Sequence, residues 1–427
     1  MPEVVSFKRE YQKAADTGSN TAHSINKAGV VGLGTMGQGI ALVLARAGIE
    51  VIAIEVEETR LDAGLDAIRA GLEDRVKRGR MSEEQMTAEL SLISGATDYA
   101  ALEDVNLVIE AALEDMAVKK AIFTELDAHC QKSAILATNT SSLDIDEIAA
   151  ATSRSDKVAG AHFFAPAQVM KLLEIVRGRA TSPETIAAMM SLSERIGKVG
   201  VTVGNGPGFV GNRMYHRYTW QAYFLLQEGA LPEDVDQAMQ EFGFPLGCLA
   251  VGDISGLDVA WQVRKAQQAS GDIDPAAPYP VVADRLCEKG WYGRKTGRGW
   301  YRYVDGQRIT DPEVTRLITA VSAELGIRRR SITADEIRER CLFALINEGA
   351  RLLGNGMVSA PDDIDTIWRY GYGFPADKTG PMAMADAMGP AKVLGTLERL
   401  HERHGPAFAP APLIVQRAAD GQETFSG

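Results

Sequence analysis

Four cysteines in 427 residues, Cys130, Cys248, Cys287 and Cys341, are too few and too scattered for a disulfide framework, and none forms a C-x-x-C pair. They read as reduced thiols of an intracellular protein. Histidine is scarce as well, six in all, and no close His/Cys/Asp cluster exists, so no metal is expected. No apolar run reaches the ~20 residues that cross a bilayer. The N-terminus lacks the apolar core of a signal peptide, and the C-terminal ETFSG carries no peroxisomal address. Cytoplasm is therefore the expected location. Positive charge is in deficit: 45 Lys and Arg stand against 57 Asp and Glu, a net charge of −12. That balance argues against a nucleic-acid or membrane partner, although local basic sites remain open. Hydrophobic content of 45% and charged content of 24% are those of an ordinary globular chain, long enough for two or three domains.

Glycine, by contrast, is used with purpose. The stretch KAGVVGLGTMGQGIALVLARAG runs from a buried strand into G-x-G-x-x-G and on into an apolar helix from Met36 to Arg46. Binding a dinucleotide requires that order. Gly32 permits the tight turn, Gly34 lets backbone approach a pyrophosphate, and Gly37 lets the helix pack close to the strand. Thr35 and Met36 complete the loop and open the helix. A second apolar strand, VIAI, ends in Glu55, about 23 positions after the first glycine, where an acid receives the ribose hydroxyls. That carboxylate would repel a 2′-phosphate; Glu57 and Glu58 add to the effect, and the nearest cation is Arg60. NAD is expected over NADP.

Residues 1–26 read as a polar extension and linker. From 27 to 205 apolar strands alternate with helical segments, the pattern of an α/β, Rossmann-like doubly wound sheet. VNLVIEAA, SAILATN, KVAGAHFF and LLEIV are its later strands. After GNGPGFVGNR the chain turns to long helical runs that contain an internal repeat. Glu228-Gly229 is echoed by Glu348-Gly349, Asp234 and Asp236 by Asp363 and Asp365, Gly243-Phe244-Pro245 by Gly373-Phe374-Pro375, and Asp253 with Gly256 by Asp386 with Gly389. Two repeated all-α domains are expected, at 206–304 and 331–427, with a linker at 305–330.

His162, in VAGAHFFAP, closes an apolar strand, and three neighbours draw attention to it. Glu174 lies twelve positions on, in the next strand, where a carboxylate could bind one imidazole nitrogen. NTSSL, with Ser141, ends the preceding strand, and Asn212 opens the helical part. Ligands of open parallel sheets bind beyond the carboxyl ends of the strands, where these groups collect. A nicotinamide accepts hydride, so the protein needs a base for the hydroxyl proton, and an imidazole braced by a carboxylate suits the task. No G-x-S-x-G elbow surrounds Ser141, which argues against a serine hydrolase. Lys119, on these grounds alone, reads as a solvated helix charge. Arg75, Lys77, Arg78 and Arg80 form a basic cluster that is equally a solvated helix end or a phosphate contact. Tyr215, Tyr218, Trp220, Tyr223 and Phe224 read mostly as helix core.

Taken together, GLGTMGQGIA, the Glu110/Glu114 run, TNTSSL, GAHFFAP, MKLLEIV, PGFVGNR and KTGRGWY resemble the L-3-hydroxyacyl-CoA dehydrogenases. The repeated tail is similar to the dehydrogenase half of peroxisomal-type multifunctional β-oxidation enzymes. The resemblance implies NAD-dependent oxidation of a (3S)-3-hydroxyacyl-CoA, with His162 as base and Glu174 as its partner. It implies that Ser141 and Asn212 contact the substrate, and that Glu114, Lys119 and Lys295 line the cofactor site. Arg78 matches a lysine position near the coenzyme A moiety. Ala165 stands where the family has Asn or Ser, so rate or substrate preference is expected to differ. Only about 26 residues precede the first strand, and hydratase activity is not expected. Relatives with one helical unit dimerise through it; a second copy predicts a monomer, with a homodimer as the alternative. Two rival readings are a dehydrogenase of a free β-hydroxy acid or carnitine-like substrate, and a silent NAD-binding protein of the crystallin kind. The H-F-F and NTSSL pair argues against the first, and the intact Ser141, His162, Glu174 and Asn212 against the second.

Overall fold

Eight short strands, buried where the sequence is most apolar, form one sheet in the order β3-β2-β1-β4-β5-β6-β7-β8. They are β1 (Lys27–Val31), β2 (Glu50–Ile54), β3 (Ile93–Ala96), β4 (Leu107–Glu110), β5 (Ile135–Thr138), β6 (Val158–Phe163), β7 (Leu172–Arg177) and β8 (Val199–Gly204). This computed structural model describes residues 25–271 and 278–425, so residues 1–24 of the N-terminal extension, His23 among them, lie outside the described residues. β1 to β6 run parallel, and β1, β4, β5 and β6 are apolar almost throughout because helices cover both faces. β7 reverses direction and pairs antiparallel with β6, and β8 follows parallel to β7. Strand order turns back on itself beside β1, which opens a crevice between the ends of β1 and β4.

Helices α1 (Thr35–Arg46), α2 (Glu58–Lys77) and α3 (Met116–His129) belong to this sheet. In the helical repeat, α4 (Gly211–Glu228) and α5 (Pro232–Phe242) of the first copy correspond to α6 (Ala334–Gly354) and α7 (Pro361–Gly371) of the second. Compactness divides the chain differently from the repeat. One unit holds the chain up to Asn212 together with Leu352–Tyr372; the other holds Arg213–Arg351 and the chain from Gly373 onward. A segment from inside the second copy is thus part of the sheet unit.

Within the sheet unit that segment continues the edge at β8, where the Gly204 N–H donates to the Met357 carbonyl at 2.8 Å. α7 then packs on β7 and β8 with Trp368 fully buried. A Cβ on Gly371 would stand 2.5 Å from Leu172 Cδ2, so the last turn of α7 lies at glycine distance from the strand.

The second unit holds the rest of both copies, and their contacts are reciprocal. Glu228, at the end of α4, accepts from Arg340 of α6 at 2.7 Å; Glu348 of α6 accepts from Arg213 of α4 at 2.5 Å and pairs with Arg217 at 3.4 Å. A Cβ on Gly243 would meet Pro375, and one on Gly373 would meet Pro245, while Phe244 and Phe374 cross edge to face at 5.4 Å. Burial pushes the Glu348 carboxyl up, but Arg217, Arg213 and Arg351 more than offset it and hold it low. Of the aromatic stretch in α4, Tyr218 and Tyr223 are core residues.

Candidate active site

The glycine loop has the geometry that its sequence predicts. Gly32 sits at φ +89°, and a Cβ there would come within 2.9 Å of the Ala111 backbone. A Cβ on Gly37 would collide with the Gly32 carbonyl oxygen, whereas one on Gly34 would meet nothing within 4 Å. The turn and the helix contact therefore demand glycine, and Gly34 faces open space where phosphate oxygens can approach backbone. Thr35 and Met36 form the first turn of α1, whose free N–H groups suit an anion. Glu55 ends β2, and its Oε1 accepts from the Leu33 N–H at 2.7 Å. That bond holds the acid beside the loop and leaves lone pairs for ribose hydroxyls. A dinucleotide fits this cradle.

Across the crevice, β4 ends in Glu110, fully buried. Its oxygens accept from Lys119 Nζ at 2.8 and 2.9 Å, from the Thr138 hydroxyl at 2.6 Å and from the Ala112 N–H at 2.7 Å. Lys119 is only 1% exposed, so it is a buried ion-pair partner rather than a solvated helix charge. The Asp115 cap on the Val118 N–H starts α3 so that Lys119 turns inward. Lys119 also pairs with Glu114 at 3.4 Å. Glu114 in turn accepts from the Thr140 hydroxyl at 2.7 Å, the Ser141 N–H at 2.8 Å and the Ser141 hydroxyl at 3.1 Å. Burial alone would raise the Glu114 carboxyl, but Lys119 and these donors outweigh it and lower its pKa. Ser141 is thereby anchored to the cofactor side of the crevice.

The expected base lies one strand further on. His162 and Glu174 are direct partners in the β6–β7 ladder, so their side chains share a face. His162 Nδ1 lies 2.7 Å from Glu174 Oε2, with His162 6% exposed and Glu174 fully buried. The other Glu174 oxygen accepts from the Gly211 N–H at 2.9 Å, which ties the pair to the residue before Asn212. Phe164 and Phe209 flank the imidazole at centroid distances of 4.6 and 5.6 Å. Asn139 joins the two groups of residues, its side chain accepting from the Phe163 N–H at 2.9 Å. The His–Glu pair was legible because its spacing fits adjacent strands. The bracing by Gly211 and Asn139 was missed, because backbone donors leave no mark in the sequence.

Lys295 and Arg78 have partners of their own. Lys295 belongs to the second unit, where its Nζ pairs with Asp258 at 2.6 Å. The glycines around it serve packing: a Cβ on Gly293 or Gly299 would collide with Asp253, which accepts from the Trp300 and Tyr301 N–H groups at 2.9 and 3.0 Å. Arg78 is exposed at the end of α2 and pairs with Asp74 at 2.9 Å. Arg75 and Arg80 line a cavity of about 500 Å³ with Arg46, at the opposite end of α1 from the glycine loop. Among the described residues no group of His, Cys, Asp and Glu could hold a metal, and no helix is long and apolar enough to cross a membrane.

Comparison with known proteins gives the family. The family description "3-hydroxyacyl-CoA dehydrogenase, NAD binding domain" matches residues 27–206, and its C-terminal domain matches 208–303 and again 337–424. The peroxisomal bifunctional enzyme of Danio rerio is 46% identical over 421 residues, covering 95% of this chain and 58% of that protein. The chain thus spans a little over half the length of the curated relatives it matches. A 3-hydroxybutyryl-CoA dehydrogenase from Escherichia coli superposes with a TM-score of 0.80 at 29% identity, over 93% of this chain and 98% of that one. The dehydrogenase part of multifunctional enzyme 1 from C. elegans does so with a TM-score of 0.67 at 28% identity, over 92% and 90%. The cytoplasmic expectation is overturned here. The curated relatives are named as peroxisomal or glyoxysomal enzymes, and the lack of a C-terminal address in ETFSG does not outweigh them.

Proposed function

Since the chain belongs to the 3-hydroxyacyl-CoA dehydrogenase family, we propose that it oxidises a (3S)-3-hydroxyacyl-CoA to the 3-oxoacyl-CoA with NAD, at the crevice beyond β1, β4, β5 and β6. The observation that carries this reading is the 2.7 Å contact between His162 and Glu174 in the unit that holds the dinucleotide cradle. When bound, NAD supplies the hydride acceptor.

Glu174 accepts the Nδ1 proton of a neutral His162, which leaves the Nε2 lone pair to take the proton of the substrate hydroxyl. As the imidazolium forms, the adjacent carboxylate stabilises it, and the Gly211 N–H keeps that carboxylate from turning away. Phe164 and Phe209 exclude water from the ring. Ser141, held by Glu114, and Asn212 orient the substrate oxygens. Glu110 and Lys119 stiffen the wall of the cofactor site, while Gly32, Gly34, Thr35, Met36, Gly37 and Glu55 receive pyrophosphate and ribose. Arg78 is proposed as a contact for the coenzyme A phosphates, and Lys295 as a cofactor-side residue.

We further propose that the protein is a monomer, supported by the reciprocal pairing of the two helical copies within one chain. Light scattering after size-exclusion chromatography should give a mass near 46 kDa, and a stable dimer on dilution would refute it. The catalytic reading is tested by following NADH formation with 3-hydroxyacyl-CoAs of graded length. His162→Gln should lower turnover by roughly 10² to 10⁴ while NAD binding persists. Undiminished turnover would remove His162 from its role.

A further inference from the structure

Tyr372 follows α7 of the second helical copy, yet it belongs to the sheet unit and sits beside the proposed base. Its hydroxyl lies 2.8 Å from Asn212 Oδ1. Its ring stacks on Trp368 at 4.7 Å and meets Phe164 edge-on at 5.5 Å, and Phe164 in turn lies against His162. Gly211 makes the room: a Cβ there would stand 2.7 Å from the Tyr372 hydroxyl. Glycine at 211 thus serves two contacts at once, its N–H bracing Glu174 and its missing side chain admitting the phenol. Counting back from the shared Gly-Phe-Pro, the first copy carries Phe242 at this register, with no hydroxyl.

We propose that Tyr372 is a positioning residue of the dehydrogenase. An amide side chain can present either its oxygen or its nitrogen, and a phenol donating to Oδ1 fixes which. With Oδ1 occupied by Tyr372, the Asn212 Nδ2 hydrogens are the end offered to the substrate oxygen as it becomes a carbonyl. The second copy of the repeat therefore contributes to the chemistry, as well as to folding. This rests on the reading of Asn212 and His162 given above.

The test uses the full chain and the best 3-hydroxyacyl-CoA of the graded series. Tyr372→Phe should lower kcat about tenfold, the effect of one lost orienting hydrogen bond. The KM for NAD and the pH at which the base titrates should stay as in the parent. In an Asn212→Ala background the same substitution should have no further effect on kcat. Without substrate or NAD, the side-chain amide resonances of Asn212 should shift in Tyr372→Phe. Phe242→Tyr, which puts the hydroxyl in the other copy, should leave kcat unchanged. A parental kcat in Tyr372→Phe, or an equal loss with and without Asn212, overturns the proposal and leaves the catalytic reading standing. Parental turnover in both His162→Gln and Asn212→Ala overturns the reading and this proposal together.

Discussion

α5 and α7 begin as the same element and end in different places. Each is an eleven-residue helix with proline in its first turn, an aspartate at its third position and Gly-Phe-Pro after its end. Asp234 accepts from the Leu231 N–H at 2.8 Å, and Asp363 from the Ala360 N–H at 2.9 Å, so even the caps agree. α5 stays with the helical unit, where Phe242 meets Phe374 and the Lys378 ammonium. α7 lies on β7 and β8, with Trp368 buried where α5 has Met239. Local sequence thus sets the helix and its ends, while the residues facing outward from it set what it packs against. A duplicated element, once spare, can be reassigned by a few side chains.

The largest effect expected from this difference comes from the buried residue at the matched position. Trp368→Ala should cost about 3–5 kcal/mol and Met239→Ala about 2–5 kcal/mol in denaturant unfolding. Only Trp368→Ala should also slow turnover of the folded enzyme, because it removes the ring on which Tyr372 stacks. Equal kinetics in the two variants would erase the functional contrast between the helices.

A smaller effect, a dependence on pH, belongs to the first copy. Asp253 of the first copy is fully buried, and burial pushes its carboxyl up to about 6 against the opposing pull of the Trp300 and Tyr301 N–H groups and the Tyr303 hydroxyl. The folded chain therefore keeps a proton between about pH 4 and 6 that the unfolded chain has lost. Its stabilising share is complete below about pH 4 and disappears as pH rises through 6. Relative to Asp253→Asn, the unfolding free energy of the parent should fall by on the order of 3 kcal/mol between pH 4 and 7. A difference that stays flat over that range would show that Asp253 does not carry the proton.

Much of this was legible in advance. β1, β2, β4 and β5 are apolar runs ended by glycine or polar residues, and buried parallel strands leave that pattern. β3, with the sequence ISGA, is short and half-exposed, and no such run marks it. His162 and Glu174 could be paired because strand spacing is short-range information. Lys119 read as a solvated charge from the residues alone, since a lysine near a helix start gives no sign that it turns inward onto Glu110 at the end of the preceding strand. Tyr372 was still harder: Y-G-Y-G-F-P reads as a turn, and its partner Asn212 lies 160 positions away. KTGRGWY matched the family as a motif, yet its Gly299 answers to the carboxylate of Asp253, which a Cβ there would strike.

Covalent linkage gives the placement of Tyr372 a further meaning. A phenol lent by a separate subunit would leave whenever the protein was dilute, and the amide it orients would be free to flip. Joined to the sheet through one polypeptide, it is present at a fixed effective concentration however few molecules there are. With Tyr372 in the proposed role, turnover per molecule should then not change as the protein is diluted.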